Sequence, residues 1–172
     1  MRPKPISARD GVLPRNELAE RLVTERLGRT LVFTCGCFDL VHVGHVRALE
    51  ASRRLGDILV VGVNSDASVR GLKGAARPII PEMQRAEMLA ALKPVDYVVI
   101  FPESTPIETI RLLRPDVHVK SGDYSIEDIP EAPHVSAVGG RVEIVPLVAG
   151  LSSTNIVERI VARHDDYLRR AG

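Results

Sequence analysis

Aromatic residues and unbalanced charge are both scarce in this sequence of 172 residues. It contains no Trp, three Tyr and three Phe, and its 23 Lys plus Arg nearly balance its 22 Asp plus Glu. A nucleic-acid-binding surface needs excess positive charge to neutralise phosphates, and single-strand binders also stack bases on aromatic rings. The composition therefore argues against a nucleic-acid partner. We expect any polyanion that the chain binds to be small and held at a local site.

Cysteines and long apolar runs are also rare. Cys35 and Cys37 are the only cysteines, and one residue separates them. This spacing is too short for an ordinary disulfide, and two cysteines are too few for a structural zinc site. No apolar run approaches the ~18 residues of a membrane-spanning helix. Residues 1–10 carry positive charge without the apolar stretch of a secretory signal. The sequence therefore predicts a reduced, cytoplasmic protein with no membrane partner and no protein-bound metal.

Short apolar segments alternate with segments of helical periodicity along the chain. The predicted strands are 30–35, 58–64, 97–101, 117–120 and 142–147, and the predicted helices are 16–27, 46–55, 82–92, 107–113 and 154–170. This alternation is typical of parallel strands joined by helical crossovers. We expect an N-terminal lead-in and helix over 1–28, followed by one α/β domain over 29–172. Its fold is predicted to be Rossmann-like, a doubly wound parallel five-stranded sheet of order 3-2-1-4-5 with helices on both faces.

The segment TCGCFDLVHVGH, residues 34–45, follows the first predicted strand. In doubly wound sheets, ligands bind beyond the carboxyl ends of the strands. Gly36 permits a sharp turn, Gly44 permits close approach of a ligand, and His42 and His45 lie one helical turn apart. A helix start attracts anions, and imidazoles add hydrogen-bond donors. We interpret the segment as a phosphate site. The alternatives are a plain strand–helix connection and a metal hydrolase, although HExxH and a third ligand are missing.

A second cationic segment, residues 70–77, has three basic residues spaced around Gly71 and Gly74. This composition predicts a mobile loop that closes over phosphates, with Lys73 as the triphosphate contact. The alternative is an ordinary solvated basic loop.

The stretch GCFDLVHVGH resembles the signature G-x-F-D-x-x-H-x-G-H of the nucleotidyltransferase superfamily that includes cytidylyltransferases. Residues from about 30 to 160 are most similar to the adenylyltransferase domain of ADP-heptose synthases. The supporting segments are 63–68, 72–74, 77–78, 105–106, 120–124 and 151–155. This resemblance implies transfer of AMP from ATP, with Mg²⁺, to a sugar phosphate, heptose 1-phosphate, with release of pyrophosphate. It also implies a homodimer.

The resemblance also implies roles for individual residues. His42, His45 and Lys73 are expected to be catalytic, and Asp39 is a candidate Mg²⁺ ligand. The acceptor side would consist of Asn64, Asp66 and Arg77, although Asn64 and Asp66 are also typical turn-capping residues. The residues expected to contact the nucleotide are Cys35, Gly36, Phe38, Asp39, Gly44, Arg85, Gly122, Asp123, Ser152, Ser153 and Thr154. Hydroxyls at 152–154 are equally typical of an ordinary helix cap.

Several positions depart from the pattern of the family. Cys35 stands where Asn is usual, and Ser121 stands where Gly is usual; Ser would cost about 1 kcal/mol if the backbone there needs a positive φ. No arginine occurs in residues 147–150, which favours the heptose-phosphate branch over the glycerol-phosphate cytidylyltransferases. A cytidylyltransferase acting on glycerol 3-phosphate or another small phosphate or phosphonate, and a catalytically silent nucleotide-binding module, remain as alternatives. The other histidines are expected to be structural or surface residues: His118, His134 and His164.

Overall fold

The computed structural model describes residues 7–123, 125–146, 150 and 152–164. At its centre lies a five-stranded sheet of order β3-β2-β1-β4-β5 in which all neighbouring strands are parallel. The strands are β1 (Leu31–Gly36), β2 (Ile58–Asn64), β3 (Tyr97–Phe101), β4 (Val117–Ser121) and β5 (Arg141–Val145). The predicted fold class and strand order are confirmed. Leu147, predicted to end the fifth strand, lies outside the described residues.

Seven α-helices occur among the described residues. They are α1 (Arg15–Glu25), α2 (Val43–Arg53), α3 (Asp66–Lys73), α4 (Glu82–Ala90), α5 (Ile107–Leu113), α6 (Ala132–Ala137) and α7 (Ser153–Ala162). None of these described helices is long and apolar enough to cross a membrane. The part of the last predicted helix beyond residue 164 lies outside the described residues.

The prediction of a mobile loop over 70–77 is wrong for residues 70–73, which belong to α3. The helix begins because the Ser65 hydroxyl accepts a hydrogen bond from the backbone N–H of Ser68 at 3.2 Å, a standard N-cap. It ends at Gly74, whose φ of 91° few other residues adopt. Val69 on this helix is fully buried, so α3 is anchored to the sheet.

Apolar side chains cover the sheet on both faces. On one face, Leu49 of α2 and Ala86 and Leu89 of α4 belong to one buried cluster. A second cluster includes α1, α5 and α6, with Leu18 and Leu22 supplied by α1. Since these two leucines are almost completely inaccessible to solvent, the described part of the lead-in is packed into the same core as the sheet.

The outer edge of β3 is covered by the segment before α1. The N–H of Leu13 donates to the carbonyl of Val98 at 3.0 Å, and Val12 forms a parallel bridge with the same residue. An edge strand otherwise presents unpaired backbone groups to solvent. The lead-in therefore closes this side of the sheet.

His118 is a packed core histidine, as predicted. It lies on β4 with no exposed surface, and its ring stacks on Phe33 with centroids 5.5 Å apart. Burial, with a smaller contribution from the nearby charge of Lys120, lowers the pKa of His118 to about 4. The ring is therefore neutral at neutral pH.

We expect acid to destabilise the fold through His118. Between its ordinary pKa of 6.5 and its folded value of about 4, the unfolded chain binds a proton that the folded chain excludes, so stability falls as the pH falls. The loss should reach about 3 kcal/mol. Urea denaturation at several pH values should show it. His118→Leu should reduce this slope by the contribution of His118, leaving that of His45, whose pKa is also lowered to about 4, and the exposed control His164→Gln should retain the full slope; equal slopes in the two variants would contradict this assignment.

Candidate active site

The candidate site lies at the switch point of the sheet, where β1 has β2 on one side and β4 on the other. A cavity of about 340 Å³ opens beyond the carboxyl ends of β1 and β4. The starts of α2 and α7 complete its wall. Ligands of doubly wound sheets bind at this position, and a site was predicted there from the sequence.

Many of the predicted site residues meet in this cavity. Those that line it are Cys35, Gly36, Phe38, Asp39, His42, Gly44, His45, Lys73, Ser152, Ser153 and Thr154. Those that lie outside its lining are Asn64, Asp66, Arg77, Arg85, Gly122 and Asp123. Seven lining residues were not predicted: Thr34, Cys37, Ala48, Leu49, Ser52, Lys120 and Ser121.

The two histidines of the elbow, the connection between β1 and α2, form a reciprocal cap at the start of α2. The Nδ1 atom of His42 accepts from the N–H of Gly44 at 3.1 Å, and the Nδ1 atom of His45 accepts from the N–H of His42 at 3.3 Å. Because each Nδ1 accepts, the proton of each neutral ring is on Nε2. Both rings line the cavity, with centroids 3.9 Å apart. The cap therefore leaves two Nε2–H donors for a ligand.

Both imidazoles are neutral donors in this site. Burial lowers the pKa of His45 to about 4, with further contributions from His42 and Lys73, and burial also lowers the pKa of His42. A neutral imidazole donates a hydrogen bond without adding a positive charge. Positive charge in this part of the cavity is supplied by the exposed side chain of Lys73, at the end of α3.

The elbow owes its shape to Phe38 and Gly36. Phe38 adopts a φ of 47°, an uncommon conformation for an aromatic residue. Its ring packs against His45 at a centroid distance of 5.3 Å. A Cβ at Gly36 would lie only 3.3 Å from the same ring. A larger residue at position 36 would therefore push the Phe38 ring by a few tenths of an ångström, and glycine leaves the ring room to pack against His45.

Asp39 anchors the loop that follows α3. Its buried carboxylate accepts from the Arg77 guanidinium and from the backbone N–H groups of Ile79 and Ile80 at 2.7 and 3.0 Å. Both oxygens are therefore engaged by protein donors, which does not fit the expected role as a metal ligand. No group of three or more His, Cys, Asp or Glu side chains in the described parts of the chain could hold a metal ion. Arg77, expected on the acceptor side, acts here as the partner of Asp39.

Arg85 is fully buried in this structure rather than exposed to phosphates. It donates to the carbonyls of Ile80 and Asn64 at 2.9 and 2.8 Å, to the carbonyl of Cys37, and to the Asp66 carboxylate at 2.8 Å. One planar guanidinium can satisfy several acceptors in this way. The side chain therefore joins the elbow to the end of β2 and the start of α3.

Asn64 and Asp66 make the contacts of turn-stabilising residues, the alternative that the sequence left open. The Asn64 amide donates to the Ser68 hydroxyl at 3.0 Å. The N–H of Asp66 donates to Glu82 at 2.6 Å, while its carboxylate receives Arg85. These polar groups are engaged by protein partners that fix the start of α3.

At the end of β4, the structure places Gly122 and Asp123 outside the cavity lining, although the resemblance implied that they contact the nucleotide. Gly122 is buried, with a φ of 149°, and its N–H donates to the carbonyl of Val145 at 3.1 Å; Asp123 is exposed. Among the described residues, the non-glycine positions with positive φ are Phe38 and Arg114. Ser121 is therefore accommodated without backbone strain.

Cys35 contributes a neutral thiol to the cavity wall. Burial raises the pKa of this thiol to about 12. A thiol held in its protonated form is a poor nucleophile. Cys35 therefore lines the cavity as a protonated thiol.

The start of α7 is fixed to the elbow. The Ser152 hydroxyl caps the helix by accepting from the N–H of Asn155 at 3.0 Å, and the Ser153 hydroxyl donates to the carbonyl of Leu40 at 3.1 Å. Thr154 lines the cavity beside them. Two helix starts, those of α2 and α7, thus converge on one cavity, an arrangement suited to a polyanion.

Comparison with known proteins defines the class. The family model described as cytidylyltransferase-like matches residues 33–159, and the chain belongs to this family. The expected class of enzyme, a nucleotidyltransferase, is thereby confirmed.

Relatives in two bacteria carry the same name. The chain is 57% identical over 143 residues to the bifunctional protein HldE of Syntrophotalea carbinolica, covering 83% of this chain and 29% of that protein. It is 52% identical over 153 residues to HldE of Trichlorobacter lovleyi, covering 88% and 31%. The chain thus spans about three-tenths of the length of these relatives.

A solved structure also matches the fold. The lipopolysaccharide core biosynthesis protein from Thermoplasma volcanium superposes with a TM-score of 0.59 at 30% identity, covering 70% of this chain and 98% of that one.

The role of Arg85 predicts a large loss of stability on its removal. Arg85→Leu would leave the Cys37 and Asn64 carbonyls unsatisfied and the Asp66 carboxylate without its partner, so we expect a loss of about 3 kcal/mol or more. Arg111→Leu removes an exposed pair with Glu108 and should cost less than about 1 kcal/mol. Denaturant unfolding of both variants measures the difference, and equal losses would show that Arg85 is not the anchor.

Proposed function

We propose that the chain is an adenylyltransferase that joins AMP from ATP to heptose 1-phosphate, forming ADP-heptose and releasing pyrophosphate. The main support is the convergence of two Nε2–H donors, the Lys73 ammonium and the start of α7 on one cavity. The resemblance of the motifs to ADP-heptose synthases is the reason for proposing ATP as the nucleotide and heptose 1-phosphate as the acceptor. A solved neighbour that serves lipopolysaccharide core biosynthesis agrees with a sugar destined for a cell-surface glycan.

The proposed reaction is an in-line displacement at the α-phosphorus. An oxygen of the sugar phosphate forms the new P–O bond, and the bond to the bridging oxygen of the β-phosphate breaks, so that pyrophosphate leaves. The attacking phosphate is already anionic at neutral pH and requires no strong general base. Catalysis then consists of positioning and charge stabilisation.

Each cavity residue has a role in this scheme. His42 and His45 donate from Nε2 to phosphate oxygens as negative charge develops. Lys73 neutralises the β- and γ-phosphates, and the start of α7 binds the same tail through its hydroxyls and N–H groups. We assign no protein ligand to Mg²⁺, because Asp39 is engaged by Arg77 and by the backbone that follows it. The ion would enter with ATP as part of the substrate. We further propose a homodimer, on the resemblance, and a cytoplasmic location, on the sequence composition.

Pyrophosphate release tests the reaction directly. ATP, CTP, GTP and UTP should each be crossed with heptose 1-phosphate and glycerol 3-phosphate. We expect release with ATP and heptose 1-phosphate. Release with CTP and glycerol 3-phosphate instead would establish the cytidylyltransferase alternative. NTP binding without release from any pair would indicate a silent nucleotide-binding module.

His45→Ala should lower kcat by about two to three decades, because loss of one preorganised donor costs roughly 3 kcal/mol in the barrier. Steady-state kinetics with circular dichroism as a folding check measures this effect. The control His164→Ala alters an exposed histidine of the C-terminal region and should keep wild-type turnover. Near-normal turnover in a folded His45→Ala protein would refute the donor role.

A further inference from the structure

The carboxyl end of β4 brings a second lysine to the cavity. Lys120 lines the cavity wall, and its Nζ lies 3.1 Å from Oε1 of Glu131, with the side chains 22% and 5% exposed respectively. Neither residue has a role in the reaction described above. Their position and their burial together indicate one.

The register of the sheet places Lys120 close to the elbow. Phe33 lies opposite His118 and Thr34 opposite Val119, so Lys120 occupies the next position, beside Cys35. Lys73 ends α3, the helix after β2, whereas Lys120 is the penultimate residue of β4, and β2 and β4 flank β1 on opposite sides. The two lysines therefore approach a ligand above β1 from opposite directions.

The ion pair with Glu131 holds the ammonium at this wall. The second oxygen of Glu131, Oε2, is buried without a hydrogen-bond partner among the described residues. A buried carboxylate is costly without its cation, so Glu131 strongly restrains Lys120. The restraint keeps a positive charge at the cavity wall, in a position to meet an anionic ligand.

We propose that Lys120 binds a phosphate oxygen of the nucleotide and that Glu131 is a positioning residue that holds its ammonium at the cavity wall. The inference rests on the proposed function in that the ligand is a nucleotide polyphosphate. Lysine is well suited to such a ligand, because its compact charge forms charge-assisted hydrogen bonds with phosphate oxygens. A purely structural lysine would serve only to neutralise Glu131.

A matched pair of variants separates the two roles. Lys120→Ala alone would leave the buried Glu131 charge unpaired and destabilise the fold. Glu131→Gln removes that charge and keeps Lys120, while the double variant Glu131→Gln with Lys120→Met removes both at similar side-chain volume. The two proteins differ only at position 120, and thermal denaturation checks that both are folded.

Calorimetric titration with MgATP and with inorganic tripolyphosphate is the measurement. The double variant should bind both ligands about 10- to 100-fold more weakly than Glu131→Gln, the effect of one charge-assisted hydrogen bond. Restoring a cation by Lys120→Arg in the Glu131→Gln background should recover most of the affinity. The exposed control Lys93→Met should bind as wild type does.

The outcomes separate this inference from the proposed function. Equal dissociation constants in the matched pair, with a wild-type enzyme that binds and turns over, would overturn the role of Lys120 and leave the reaction standing. A loss of tripolyphosphate binding on removal of Lys120, with no pyrophosphate released from any substrate pair, would support Lys120 and overturn the reaction. A wild-type protein that binds neither ligand would overturn both.

Discussion

The buried guanidinium of Arg85 ties the elbow, which forms one wall of the cavity, to the segments packed behind it. Its acceptors are Cys37 in the elbow, Asn64 at the end of β2, Asp66 at the start of α3 and Ile80 in the next loop. The first three lie at or just after the carboxyl ends of β1 and β2, where regular strand pairing stops. A network of charged side chain and backbone carbonyls replaces that pairing. The donors that face the cavity are therefore fixed before any ligand arrives, which is the condition for electrostatic catalysis.

At the start of α2, the same two side chains cap the helix through Nδ1 and face the cavity through Nε2. The backbone N–H groups of His42 and Gly44 would be unpaired at a helix start, and the Nδ1 atoms of His45 and His42 accept from them. This arrangement fixes the tautomer of both rings. Since burial also keeps both rings neutral, each presents an Nε2–H donor to the cavity. In the proposed reaction, the positive charge that a polyphosphate needs would come from Lys73 and Lys120.

Much of the sheet could be predicted because each strand is a short apolar run and the segments between strands have helical periodicity. The location of the site followed from the strand order and from the segment 34–45. The start of α2 was placed three residues too late because histidine is not a usual N-cap, and its capping role depends on the reciprocal bond with His45. α3 was missed because Gly71 and the cations Arg70 and Lys73 obscure a helix that is stabilised by the burial of Val69 and the Ser65 cap.

The side chains that hold the site together were harder to assign than those that face the ligand. Asp39 and Arg85 are charged residues with partners far away in the sequence. The pairs Asp39–Ile80 and Arg85–Cys37 are each separated by about 40 to 50 positions. No local pattern reveals such pairs. Both were interpreted as ligand contacts on the resemblance to the family, which says nothing about these pairings. Lys120 was overlooked for the converse reason: only the pairing of β1 with β4 and the packing of Glu131 show that it reaches the cavity.

The cover that Val12 and Leu13 place over β3 also affects how copies of the protein behave towards one another. Open strand edges are the templates on which misassembled sheets grow. One border of this sheet is already occupied by the chain's own backbone. At the opposite edge of the sheet, β5 carries an Arg141–Glu143 ion pair. Charged side chains on an edge strand oppose the pairing of a further strand. Both edges of the described sheet are thus protected against pairing with strands of other copies. Loss of residues 12–13 would expose the edge of β3, on which aggregates would nucleate.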